Sequence, residues 1–131
     1  MIDSERTDVW TVVKVPYPST DRQTRQNRPA LVVAETGTAA GTPLVWVLMI
    51  TSAENRGWAG DVPVSDSAAA GLPAPSVVRT EKIATIDRRD VVLLGTLPEA
   101  DREAVRVQLR RVLDAACGGG IPDAAARLGA H

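Results

Sequence analysis

A chain of 131 residues, 44% of them hydrophobic, is long enough for one domain that buries most of its apolar surface without metals or cross-links. Its 15 basic and 16 acidic side chains leave a formal net charge of −1, which argues against a broad nucleic-acid-coating surface but leaves room for a local basic groove. One cysteine and one histidine exclude, within a single chain, a disulfide framework, a thiolate or histidine metal cluster, and any histidine-based acid/base pair or triad.

Residues 1–7 are charged and polar and read as a flexible leader, without the basic-then-apolar layout of a secretory signal. No stretch approaches a membrane span, and a lone thiol, Cys117, points to a reducing cytoplasm. The first strand is expected over Val9 to Val15, with Trp10, Val12 and Lys14 on one face and Val9, Thr11, Val13 and Val15 on the other. Pro16 and Pro18 should end it, since neither can donate to a ladder. Ser19 to Asn27 is wholly polar and reads as a mobile loop. Pro29 then opens a second strand, Ala30 to Ala34, and leaves Arg28 at the strand mouth. A guanidinium there has a fixed base and a planar, charged fork suited to phosphate oxygens.

Glu35 to Pro43, with Gly37 and Gly41, is expected to be a hairpin connection, and Leu44 to Ile50 a buried strand that ends abruptly at the hydroxyls of Thr51 and Ser52. Antiparallel pairing of the second and third strands would bring Arg28 close to Thr51 and Ser52. Ala53 to Ala59 is turn-like. Gly60 to Val64 reads as a short edge strand, where alone Pro63 is tolerated. Ser76 to Ile86 predicts one or two strands, Asp87 to Asp90 a charged break, and Val91 to Thr96 a last strand. A helix follows, with Pro98 in its first turn and Glu99, Asp101 and Glu103 at the positive end of the dipole. Val105, Leu109, Val112 and Leu113 form its apolar stripe, and Arg102, Arg106, Arg110 and Arg111 read as a solvated face. Gly118-Gly119-Gly120 stops it, and residues 118–131 read as a flexible tail. The chain is therefore expected to be mainly β (α+β), with a single domain over residues 8–117.

No glycine-rich phosphate loop is present, because the glycine run follows a helix rather than opening one. A carboxylate-only metal site stays an alternative, although the acids are scattered; no metal and no cofactor are expected. What remains is an arginine and hydroxyls at adjacent strand ends. Such a pair can stabilise the charge on a phosphorane-like transition state in an RNA backbone, where the substrate's own 2′-OH is the nucleophile. Trp10, Trp46 and Trp58 are read as core or interface packing rather than as base-stacking groups.

Four blocks, taken in order, resemble the MazF/PemK toxins of type II toxin–antitoxin systems. They are Asp8-Val9-Trp10-Thr11-Val12 with Pro16-Tyr17-Pro18; Asn27-Arg28-Pro29-Ala30-Leu31-Val32-Val33; Val47-Leu48-Met49-Ile50-Thr51-Ser52; and Ser76-Val77-Val78-Arg79-Thr80-Glu81-Lys82-Ile83. Gly60-Asp61-Val62-Pro63 and the helix from Pro98 fall in the same order, so the resemblance spans roughly residues 8–113. It implies a small SH3-like barrel of strongly bent antiparallel strands with a C-terminal helix, assembled as a homodimer. It also implies metal-independent cleavage of single-stranded RNA at short sequences, leaving 2′,3′-cyclic phosphate and 5′-OH ends, and inhibition by a cognate antitoxin. On this resemblance Arg28 is the catalytic arginine, Thr51 the catalytic threonine and Ser52 a catalytic neighbour. Asn27 and Arg25, in the loop that covers the substrate, and Arg79 and Lys82 are the expected RNA contacts. The family's first strand usually opens Gly-Asp; here it is Thr7-Asp8.

Two other readings are carried. A CcdB-like toxin of the same fold would bind gyrase without catalysis, through its C-terminal helix rather than Arg28. An inactive barrel would be an interaction module only.

Overall fold

The computed structural model describes residues 8–18, 25–39 and 42–118. The leader, all but Gly118 of the tail, and residues 19–24 of the polar loop therefore lie outside the described residues. Six strands are present: β1 (Thr11–Pro18), β2 (Arg25–Ala39), β3 (Thr42–Ser52), β4 (Asp61–Pro63), β5 (Ser76–Asp87) and β6 (Val92–Thr96). A helix, α1 (Glu99–Leu113), follows and ends in a wider turn over Asp114–Gly118. The strands form one antiparallel sheet in the order β4-β5-β3-β2-β1-β6. The edge strands β4 and β6 do not pair, so among the described residues the expected SH3-like barrel is an open one.

Alternation along the strands sorts apolar side chains onto the two faces of the sheet. One face carries Val12, Leu31, Leu48, Ile50 and Val78, which pack with Val62, Val64, Leu72, Leu97 and the helix residue Val105. The other carries Val13, Val15, Ala30, Val32, Val45, Val47 and Met49, joined by Ile86. Burial on both faces explains why β3 reads as a continuous apolar run.

The prolines behave differently from the sequence expectation. Pro18 is the last residue of β1, as expected, but Pro16 lies inside the strand, and both pair with β2, opposite Asn27 and Arg25. The reason is the neighbour on the other side: β6 reaches only to Lys14, opposite Val92. Beyond that point β1 has no partner on that flank among the described residues, and prolines two residues apart turn their donor-less nitrogens to the same side of a strand. Pro29 likewise lies inside β2 rather than opening it, opposite Lys14. The β2–β3 ladder, in contrast, stops at Ala30↔Met49, one residue short of Pro29.

Other expectations shift in extent. The Glu35 to Pro43 connection is mostly strand, since β2 runs to Ala39 and β3 starts at Thr42, with irregularities between Val32 and Ala34 and between Glu35 and Thr38. Ser76 to Asp87 is one strand, bent where the register against β3 jumps from Met49↔Arg79 to Leu48↔Ile83 and leaves Thr80, Glu81 and Lys82 as a bulge. Pro98 is the N-cap of α1 rather than part of its first turn, and makes no side-chain cap bond. Asp101 lies in the first turn as expected, and its Oδ2 also accepts from the Ser65 N–H at 2.8 Å and from Ser65 Oγ at 3.0 Å. Gly95 allows a close backbone approach, because a Cβ there would meet the Ala70 carbonyl at 2.5 Å.

Candidate RNA-cleavage site

Strands β2 and β3 part after Ala30↔Met49, yet each keeps its outer partner. The β1–β2 ladder continues through Val15↔Arg28 to Pro18↔Arg25, and the β3–β5 ladder through Thr51↔Val77 to Ser52↔Ser76. Arg28 and Thr51 each lie two residues beyond the last β2–β3 pair, so both belong to the sheet face that holds Ala30 and Met49. The antiparallel hairpin inferred from the sequence is thus present, and it carries an arginine and a hydroxyl to the mouth of a fork in the sheet. Beneath them Val15, Ala30 and Met49 are buried, which gives the fork an apolar floor.

The hydroxyls are set by the turn that follows. Ser52 caps the 3-10 turn Ala53–Asn55, its Oγ accepting from the Glu54 N–H at 3.2 Å. Thr51 Oγ1 accepts from Asn55 Nδ2 at 3.0 Å. With an acceptor position of the hydroxyl filled by the amide, the Thr51 O–H is left to donate elsewhere.

The residues expected to touch RNA separate into different environments. Asn27 is exposed on β2 opposite Pro16, and Arg25 pairs with Pro18 at the strand start. Asn27 is one residue from Arg28 and so faces the opposite side of the strand. Lys82 is half-buried in the β5 bulge. Arg79 is only 7% exposed. Its Nε donates to Asp61 Oδ1 at 3.1 Å, and its Nη2 to Asp61 Oδ2 at 3.0 Å and to the Asn55 carbonyl at 2.6 Å. Its guanidinium also stacks on Trp58, 4.1 Å from the ring centroid. Arg79 therefore supports the 53–61 turn from within.

Asp61 is the other half of that support. Its Oδ2 accepts from the backbone N–H groups of Gly57 and Trp58, each at 3.2 Å. Burial pushes its carboxyl up, but the Arg79 hydrogen bonds, the two backbone N–H groups and the Arg79 charge together hold it below the ordinary carboxylate value. Asn55 and Asp61 were not singled out in the sequence as site residues. Asn55 meets Thr51 only because a 3-10 turn intervenes, a contact that spacing does not announce. The opposite charges of Asp61 and Arg79 on neighbouring strands were a usable signal.

The tryptophans split as well. Trp10 packs against the first core and lies under Arg102 and Arg106, at 5.9 and 5.1 Å. Trp46 and Trp58 are exposed, outside both cores, which leaves of the expected core or interface packing only the interface part for these two. Among the described residues no group of three or more His, Cys, Asp or Glu side chains could hold a metal ion, and no helix is long and apolar enough to cross a membrane.

Among the described residues the fold is one bent antiparallel sheet followed by one helix, the architecture of small toxins of this kind. The profile of the family described as "PemK-like, MazF-like toxin of type II toxin-antitoxin system" matches residues 5–113, and the chain belongs to that family. No curated protein is a significant match. Among solved structures, the chain is similar to the Mycobacterium tuberculosis toxin MazF-mt6, with 25% identity and a TM-score of 0.58 over 78% of this chain and 95% of that one. It is similar in fold to MazE-MazF (Form-II) from Deinococcus radiodurans, with 23% identity and a TM-score of 0.60 over 82% and 94% of the two chains. The same holds for an endoribonuclease in complex with its cognate antitoxin from a mycobacterial species, at 18% identity and a TM-score of 0.61 over 82% and 95%.

Proposed function

We propose that this toxin is a sequence-specific, metal-independent endoribonuclease that cleaves single-stranded RNA, with Arg28 and Thr51 as its catalytic residues and Ser52 beside them. The observation that carries this reading is the fork: Arg28 and Thr51 stand two residues past Ala30↔Met49, on one face, over an apolar floor. The substrate's 2′-oxygen forms a bond to the adjacent phosphorus, and the bond from phosphorus to the 5′-oxygen breaks. The products are a 2′,3′-cyclic phosphate and a 5′-OH that takes up the proton. Arg28 holds the scissile phosphate by its planar fork and assists the proton transfer, and the Thr51 O–H donates to a phosphoryl oxygen as charge builds there. Because RNA supplies its own nucleophile, the protein need only orient and stabilise.

Asn27, Arg25 and Lys82 serve in this reading as contacts to the strand away from the scissile bond, whereas Arg79 acts through the turn it supports. The working domain is residues 8–117, in the cytoplasm. Its partners are a cognate antitoxin, as in the complexes of its structural neighbours, and a second copy of the chain. Exposed Val92 and Leu93 on edge strand β6 support the pairing of two copies.

The test is incubation of the purified protein in EDTA with a long single-stranded RNA, beside folded Arg28→Ala and Thr51→Ala variants. Discrete fragments with 5′-hydroxyl ends from the parent, lost in both variants, are expected. Cleavage that survives both substitutions moves the site elsewhere. Growth arrest that survives Arg28→Ala without RNA cleavage returns the weight to gyrase binding.

A further inference from the structure

We propose that Trp58 is a base-stacking platform for the single-stranded RNA, an inference that rests on the endoribonuclease reading and extends it to a binding subsite. A tryptophan this exposed, at 48%, needs a reason to stay in the open. Here the turn holds it there. Asp61 Oδ2 accepts from the N–H groups of Trp58 and Gly57, and the Trp58 carbonyl accepts from the Asp61 N–H at 3.1 Å. The guanidinium of Arg79, itself buried and bonded to Asp61 and Asn55, covers one face of the indole. One face is backed by a fixed cation and about half the side chain is open, so the ring is available for a flat partner at little further cost in side-chain entropy.

The partner's chemistry follows from the neighbours. Asn55, whose carbonyl accepts from Arg79, donates its amide to Thr51, so three direct contacts run Trp58, Arg79, Asn55, Thr51. Trp58 and Thr51 thus belong to one stacked and hydrogen-bonded unit around the turn that leaves β3. Exposed Arg56 lies two residues before Trp58 on the same turn, its Nη1 donating to the Ala53 carbonyl at 2.8 Å. A planar group on a polyanionic strand fits this setting: an unpaired nucleobase near the scissile phosphate. Every base has a π face, so the platform adds affinity for the strand and little sequence code.

The experiment separates binding from cleavage. Full-length parent, Trp58→Phe and Trp58→Ala, each checked by thermal melting, are titrated with 2′-O-methylated single-stranded oligonucleotides of mixed sequence, which lack the nucleophile. Long RNA is cleaved in parallel. The parent should bind with quenched indole fluorescence. Trp58→Phe should lose most of that quenching but keep its affinity within about threefold, and Trp58→Ala should bind about 5- to 150-fold more weakly, the range of one lost base stack. In cleavage, Trp58→Ala should raise KM with kcat nearly unchanged. A Trp58→Ala protein that binds and cleaves like the parent overturns the platform and leaves the endoribonuclease standing. A parent that neither binds nor cleaves RNA removes both. Unaltered RNA binding by Trp58→Ala together with a lost dimer in sedimentation assigns the ring to contact with a second copy and overturns the proposal.

Discussion

The side-chain amide of Asn55 donates to the hydroxyl of Thr51 at 3.0 Å, across the single 3-10 turn that leaves β3. That bond orients a hydroxyl at the mouth of the fork, and its effect should be separable from folding because both groups are near the surface. Asn55→Ala should lower kcat for RNA cleavage by about 3- to 10-fold, the worth of one neutral hydrogen bond, with KM little changed. Single-turnover cleavage measures this directly. An unchanged kcat would detach Asn55 from the site.

Arg28→Lys keeps the positive charge and removes the planar fork. If the role of Arg28 is bidentate support of a phosphoryl group, cleavage should fall by about 100-fold or more while the melting temperature stays near the parent's. Near-parental activity in the lysine variant would mean that charge alone suffices.

The pair Asp61 and Arg79 makes stability depend on acid. The folded pKa of Asp61 lies below its unfolded value of 3.8, so its contribution is fully present above that value and is lost as the pH falls through the lowered folded value. Urea midpoints of Asp61→Asn should accordingly fall less steeply with acidification below about pH 4 than those of the parent. At neutral pH the variant should be less stable by up to about 3–5 kcal/mol, because the buried guanidinium loses its charged partner.

Two glycines separate crowding from conformation. Gly95 has the Ala70 backbone where a Cβ would go, so Gly95→Ala should cost about 1–3 kcal/mol or more in urea unfolding. Gly57, with φ +137° and nothing within 4 Å of its Cβ position, should lose only the backbone component, about 1 kcal/mol. Equal losses in the two variants would contradict this account.

The apolar runs that became β1, β3 and β6 and the periodic stripe of α1 were readable because burial itself writes those patterns. The edge position of β4 followed from Pro63, a rule about missing donors. The same rule misled at Pro16 and Pro29, since a proline is excluded only from a side of a strand that has a partner, and the sequence does not say where β6 stops or where β3 diverges. For the site, Arg28 and the Thr51-Ser52 pair were visible as polar groups abutting core strands. Arg79 was expected to contact RNA, and its pairing with Asp61, 18 residues earlier on β4, becomes plain only once the two strands are known to be neighbours. Trp58 looked like packing because composition cannot tell which aromatic a turn will hold outward.

The distribution of prolines along the sheet margins has a consequence for assembly. One margin is the three-residue β4, which carries Pro63, and the flank of β1 beyond Lys14 carries Pro16 and Pro18. Both are poor templates for an added strand. Among the described residues that leaves β6, with exposed Val92 and Leu93, as the receptive margin. A molecule with one receptive margin can satisfy it only against the same margin of a twin, and such an isologous contact closes after two copies. Head-to-tail growth, which would need β6 of each copy to dock on β4 of the next, is disfavoured by the shortness of β4 and by Pro63, a local guard against open-ended sheet growth.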